Sequence, residues 1–199
     1  MTATHSQVRA ETTPRRARIL DETLRIVSER GYHGFGIQEL AERCGLTKPG
    51  LLHHFGSKDQ LLITLLNEVD AEQEAEIAES FREVFDRAAT PEAHREVFRQ
   101  SVRAIVARSV DRPELVRLRV VLRVEAMNPE HPAHRYFLAR GEATLARLAH
   151  GAATFSATPH STARLILATI SGLEEQWLRV GGAFDLLAEW DRALQLLLP

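Results

Sequence analysis

The 199-residue chain has a single cysteine, Cys44, so no internal disulfide can staple it and its core must be closed by packing alone. That scarcity also suits a reducing compartment. No apolar run approaches the roughly 20 residues that span a bilayer. The opening MTATHSQVRAETTPRRAR lacks the apolar stretch of a secretion signal. Both absences predict a cytoplasmic protein with no membrane partner. Catalytic signatures are missing as well: there is no glycine-rich phosphate loop, no His-Glu-x-x-His pattern and no nucleophile motif. The nine histidines include His53-His54 and His131-x-x-His134, but Pro132 interrupts the second pair and adjacent helical side chains diverge. No metal, no cofactor and no enzymatic activity are therefore expected.

Charge is ordinary in total and uneven in place. The net charge is −2, yet residues 1–60 hold nine Lys/Arg against seven Asp/Glu. Arg9, Arg15, Arg16 and Arg18 meet only Glu11 in the first eighteen residues. Any polyanion contact belongs at that end. Farther on, Glu68, Asp70, Glu72, Glu74, Glu76 and Glu79 read as a solvated acidic face.

Apolar periodicity and punctuation predict an all-α chain of about nine helices, with a small N-terminal three-helix bundle followed by a larger helical half. Residues 1–12 are polar and aperiodic and read as a mobile arm, residues 13–60 as the small bundle, and 61–199 as the larger part. Thr13-Pro14 opens the first helix and Gly31 closes it. Ile37, Leu40, Ala41 and Cys44 line a second, ended by Gly45. Thr47 caps a third, with Leu51 and Phe55 inward, and Ser57-Lys58-Asp59-Gln60 opens a long fourth as a capping box. Val116-Arg117-Leu118-Arg119-Val120 alternates as a strand would, but the segment is too long and has no partner strand, so it is read as helix. Cys44 falls on the inward side of its helix, where a thiol acts as a small inert hydrophobe.

The stretch Ile37 to Lys58 contains two short helices joined by Gly45-Leu46-Thr47, as a helix-turn-helix requires: residues about 37–56 form the motif. Gly31-Tyr32, Ile37, Leu40, Ala41, Gly45, Leu46, Thr47, Leu51, His53-His54-Phe55, Ser57-Lys58 and Leu61, in that order, resemble the N-terminal signature of the TetR family of transcriptional regulators. The resemblance implies a homodimer whose recognition helices, about Lys48–His54, enter successive major grooves of double-stranded operator DNA. It implies a repressor, released by a small-molecule effector. Lys48 and Gly50, with Pro49 between them, are assigned to base or groove-floor contact. His53, His54 and Lys58 are assigned mainly to phosphate, and Gln38 and Thr47 to backbone positioning. Two positions depart from the family: Phe35 replaces a threonine, and Leu52 a tyrosine, whose hydroxyls commonly meet phosphate.

The C-terminal half is less explicit. Ile166, Ile170, Leu173 and Trp177 on the eighth helix, with Leu187, Trp190 and Leu194 on the ninth, are expected to form an isologous four-helix dimer interface. The alternative is that these stripes close the protomer's own core. The family resemblance implies a pocket among the middle helices, with Arg119, Arg123, Glu125, His134, Tyr136, Phe137, Glu174 and Trp177 as candidates. Buried arginines there would suit an anionic effector within a mainly apolar lining. Otherwise they are surface charges paired with neighbours such as Glu114. A helical protein–protein adaptor without DNA binding is the rival function.

Overall fold

A computed structural model describes residues 14–85 and 90–198, with side chains described outside 72–85. The expected arm, residues 1–12, lies outside the described residues. Those described form nine helices and no strand: α1 Pro14–Arg30, α2 Ile37–Arg43, α3 Lys48–Phe55, α4 Lys58–Phe85, α5 Pro91–Asp111, α6 Pro113–Glu125, α7 His134–Ala152, α8 Pro159–Arg179 and α9 Leu186–Leu197. None is long and apolar enough to cross a membrane.

Local chemistry sets the helix ends that matter for the site. Gly45 closes α2 with φ +68°, its N–H donating to the Glu42 carbonyl at 3.0 Å and that of Leu46 to Ala41 at 2.8 Å. This is the double hydrogen bond of a Schellman cap, which favours glycine in the left-handed region. The Thr47 hydroxyl then accepts from the Gly50 N–H at 3.2 Å and starts α3. Ser57 Oγ accepts from the Gln60 N–H at 3.1 Å and starts α4. Thr90 caps α5 in the same way, and Asp185 caps α9. α6 is helical despite its alternating sequence, because Leu115, Leu118 and Leu122 fall on one buried face at helical spacing.

Two cores result. The first joins Ile19, Ile26 and Val27 of α1, Leu40 of α2, Leu51 of α3 and Leu61, Leu62, Leu65 and Leu66 of α4 to Leu118 and Leu122 of α6. The small bundle is therefore not closed by its own helices, because α6 lies along α1 and completes it. The second core joins α5, α7, α8 and α9 around Phe98, Val102, Ile166 and Trp190.

This second core corrects the expected dimer interface. Ile166, Ile170, Trp177, Trp190 and Leu194 are buried inside the protomer, Ile166 and Trp190 at 0 % exposure, so no second chain can reach them in this fold. Leu173 and Leu187 are half-buried against the same core. The stripes close the protomer because α9 packs across α8 and α5.

Candidate nucleic-acid interface and sensing cluster

α3 is two-sided. Leu51 and Phe55 are buried, whereas Lys48, Pro49, His53 and His54 are exposed and share its outer surface with the exposed Thr47. Leu46 packs under the turn against the first core, and Leu52 is half-buried. Gly50 lies against the cap, where an added Cβ would sit 3.2 Å from Thr47 Oγ1. The first turn offers few backbone donors: Pro49 has no N–H, and Gly50 gives its own to Thr47. Side chains, more than amides, therefore define what this surface can grip. Gln38 is exposed beside it on α2, its Nε2 donating to Glu42 Oε1 at 2.7 Å. Arg18 of α1 is also exposed and donates to the Arg43 carbonyl at 3.2 Å, tying the start of α1 to the end of α2.

Lys58 departs from its expected place. Its ammonium lies 4.2 Å from the Tyr32 ring centre and 4.4 Å from that of Phe35, and burial pulls its pKa below the ordinary lysine value against the charges of Asp59 and Glu125. Such an ammonium is steadied by the ring quadrupoles. Phe35, 3 % exposed, is a core residue that also supplies one of those rings. Cys44 is buried as expected, and burial pushes its thiol pKa up.

In the C-terminal half, the candidate pocket residues separate into groups. Arg119 and Arg123 turn inward, unlike the exposed Arg117. Arg119 reaches Glu174 of α8 at 4.0 Å, and Glu174 Oε1 accepts from Ser109 Oγ of α5 at 2.6 Å. Arg123 donates to Ser171 Oγ at 2.9 Å. Tyr136 donates to Asp70, which also pairs with Arg140. Asp70, Ser109, Arg119, Tyr136, Arg140 and Glu174 thus come from five helices into one largely buried polar band. Burial lowers the pKa of Arg119 and raises that of Asp70, the latter against the pull of Tyr136 and Arg140. Asp70 is accordingly not part of a solvated acidic face, and Glu68 pairs with Arg16. Glu72, Glu74, Glu76 and Glu79 lie outside the described side chains.

Four candidates stand elsewhere. Glu125 ends α6 against α1. His134 meets the Ala126 carbonyl at 2.7 Å, and Phe137 packs on the first core. Trp177 belongs to the second core. Asp70, Ser109 and Arg140 were not anticipated. Arg140 follows Tyr136 by four residues on one helix face, and that spacing was the available signal. Among the described residues, no three His, Cys, Asp or Glu side chains stand together as a metal would need. An open groove of about 420 Å³ also runs between α6 and α8, lined by Val120, Val124, Met127, Leu167 and Ala168 among others.

A helical chain that sets a capped second helix, buried on one side and polar on the other, outside its core has the architecture of a helix-turn-helix DNA-binding regulator. Residues 19–65 match the model of the bacterial regulatory proteins of the tetR family. The chain is 40 % identical over 52 residues to the transcriptional activator FasR of Mycolicibacterium smegmatis, covering 26 % of this chain and 24 % of FasR. It is 35 % identical over 86 residues to the transcriptional repressor AcnR of Corynebacterium diphtheriae, covering 42 % of this chain and 45 % of AcnR. The chain thus spans less than half the length of either curated relative. Over 92 % of its length it shares the fold of the transcriptional regulator FadR from Bacillus subtilis, solved in complex with stearoyl-CoA, with a TM-score of 0.74, 17 % identity and 97 % of that chain covered. Residues 19–65 thus carry the N-terminal module of the tetR family of regulators, and the whole chain carries the fold of such regulators.

Proposed function

We propose that this regulator is a repressor that binds operator DNA as a homodimer and releases it when an anionic, largely apolar small molecule enters the C-terminal half. The observation that carries the DNA half is the two-sided α3, with Leu51 at 0 % exposure beneath and Lys48, Pro49, His53 and His54 outside. Residues 13–60 act as the DNA-binding unit, with Gln38, Thr47, Gly50 and those four side chains as its contact surface. The remainder, from residue 61, is the sensing half, and α4 runs through both. Release requires the effector to bind the non-operator arrangement more tightly than the operator-bound one.

Arg119, Arg123 and Arg140 support an anionic effector, because guanidinium groups held inside a protein pair carboxylate and phosphate well. FadR carries stearoyl-CoA, an apolar chain on an anionic head. A long-chain acyl-CoA is therefore the first probe.

The dimer face is reassigned to the outer side of α8 and its groove with α6. Leu165, Val124 and Met127 are 54 %, 60 % and 74 % exposed there. Ala168 and Gly172 permit close backbone approach. Arg164 and Glu175 are exposed on the same side of α8, on opposite sides of Ala168 and Gly172. Antiparallel crossing of two copies near Ala168–Gly172 sets each Arg164 opposite the partner's Glu175, a self-complementary arrangement of the kind a two-fold axis demands.

The test is a mobility shift with DNA upstream of the protein's own gene, repeated across salt concentrations and with added stearoyl-CoA. A specific complex whose log K falls with log[salt], at about −0.9 per phosphate neutralised, supports the reading. Failure to shift any such fragment favours the adaptor alternative.

A further inference from the structure

The DNA-binding unit meets the sensing half at one buried junction whose chemistry serves neither proposed site. Glu125, the last residue of α6, accepts the Tyr32 backbone N–H at 2.8 Å. Its carboxylate lies so close over the end of α1 that a Cβ at Gly31 would stand 2.1 Å from Oε1 and push it aside, while the φ of +71° itself favours glycine. Behind the carboxylate is His131, from the segment between α6 and α7. Its side chain is 0 % exposed, and its Nε2 is 3.6 Å from Glu125 Oε2, too far to bond. That Nε2 has no hydrogen-bond partner among the described residues. The other ring nitrogen, Nδ1, accepts the Ala133 N–H at 3.1 Å. The ring stands edge-on to Tyr32 and His33 at 5.1 and 5.8 Å.

These contacts set the protonation state. An Nδ1 that accepts an amide N–H carries no proton, so the neutral ring holds its proton on Nε2, aimed at Glu125. A second proton can go only onto Nδ1, where it meets the Ala133 N–H head-on. The resulting imidazolium also competes with the Tyr32 amide for one oxygen, since Glu125 Oε2 is the atom that faces both. One protonation thus opposes both hydrogen bonds, one holding the start of α7 and one holding the end of α1.

We propose that Tyr32, Glu125 and His131 form a proton-sensitive latch between the DNA-binding unit and the sensing half, closed while His131 is neutral and opened by its protonation. The titratable and charged groups facing the ring are Glu125 from α6, Tyr32 and His33 from the turn after α1, and Asp59 from α4, with Lys58 over the Tyr32 ring beyond them. Burial lowers the His131 pKa from its ordinary value of 6.5, against the pull of Glu125. A lowered imidazole pKa in the closed state means that the latch is at full strength above the ordinary imidazole range and weakens as pH falls through it. The consequence for DNA binding rests on the assignment of residues 13–60 to DNA. The latch itself does not.

Amide hydrogen exchange on the full-length protein, without DNA or effector, tests it. Rates are corrected for intrinsic exchange and compared between about pH 7.5 and about pH 5.5, which bracket the ordinary imidazole range. Protection at Tyr32 and Ala133 is expected to fall over that interval by up to about tenfold, the limit set when the opened latch frees an ordinary imidazole one unit above the lower pH. In His131→Asn, whose side-chain oxygen keeps an acceptor for Ala133, protection is expected to stay level. Unchanged protection in the wild type, or an equal fall in His131→Asn, overturns the proposal. If His131→Asn does not fold, the imidazole resonances of the wild type decide: the loss of protection must level off at the midpoint of His131, and levelling off at that of His33 instead overturns it. Failure of the operator assay leaves these measurements intact, and their failure leaves the operator assay intact.

Discussion

The Lys58 ammonium sits 4.2 Å above the Tyr32 ring, turned into the junction between α1 and α4. A lysine at the start of a helix beside a helix-turn-helix invites assignment to phosphate, but this one is half-buried and its partners are aromatic. Removing it should therefore cost packing and leave the electrostatics of DNA binding alone. Lys58→Met is expected to keep the slope of log K against log[salt], whereas Lys48→Ala, which removes an exposed cation, lowers its magnitude by up to about 0.9 per protomer. A binding series over several salt concentrations separates the two, and an equal loss of slope in both variants would return Lys58 to the interface.

The chain has two tyrosines, and both are withdrawn from solvent. Tyr32 donates to Asp59 and Tyr136 to Asp70, and in each case burial, then the carboxylate, raises the phenol pKa well above its ordinary value of 10. A raised pKa in the folded state contributes stability that is complete below the ordinary tyrosine range and is lost as pH rises through it. Absorbance at 295 nm should therefore show no tyrosinate near pH 10, where an exposed phenol is half ionised. Both are expected to ionise together at higher pH, with simultaneous loss of helical circular dichroism. A phenol that titrates near pH 10 in a fully helical protein would contradict this.

What could be read from the sequence was whatever is decided locally. Thr47, Gly45, Leu51 and Phe55 lie within eleven residues, and cap, turn and inner face all follow from their spacing, so α3 was legible down to its outward side chains. α6 was harder, since Val116, Leu118 and Val120 alternate, and the burial of Leu115 and Leu122 with Leu118 decides for helix. Periodicity shows which residues share a face but not what covers it. Ile166, Ile170 and Trp177 were correctly placed on one stripe, and α9 of the same chain, not a second copy, lies over it. Asp70 looked like its acidic neighbours because its partner Tyr136 is 66 residues away. Lys58 and Glu125 both meet Tyr32, in the turn after α1 and far from either in sequence, so their surroundings could not be read locally.

The exposed and buried sides of α8 make opposite predictions at adjacent positions. Ile166, at 0 % exposure, lies in the protomer's core, and Ile166→Ala should lower unfolding stability by about 2–5 kcal/mol. Leu165, at 54 % exposure, should tolerate Leu165→Glu with little change in the unfolding of the single chain, while a dimer built on this face dissociates. Arg164→Glu alone should also dissociate it, and Arg164→Glu with Glu175→Arg should restore it. Sedimentation equilibrium beside thermal unfolding reads both effects. Dimers that persist in Leu165→Glu and Arg164→Glu would place the interface elsewhere.

Arg119 and Glu174 are 19 % and 8 % exposed at the side chain and face each other at 4.0 Å inside the C-terminal half. Desolvation of two ions is costly, and removing Glu174 takes from the buried Arg119 the stronger of the two carboxylates acting on it, Asp70 being the other. Glu174→Leu should therefore destabilise by about 3–5 kcal/mol, and Arg119→Met combined with Glu174→Leu should recover most of that loss. If Arg119 also receives the head of the effector, the recovered double variant binds operator DNA as tightly as the wild type but no longer releases it with stearoyl-CoA. Chemical denaturation measures the first effect and the mobility shift the second. A stable double variant that still responds to stearoyl-CoA would remove Arg119 from effector recognition, and the pair would then serve to hold α6 against α8.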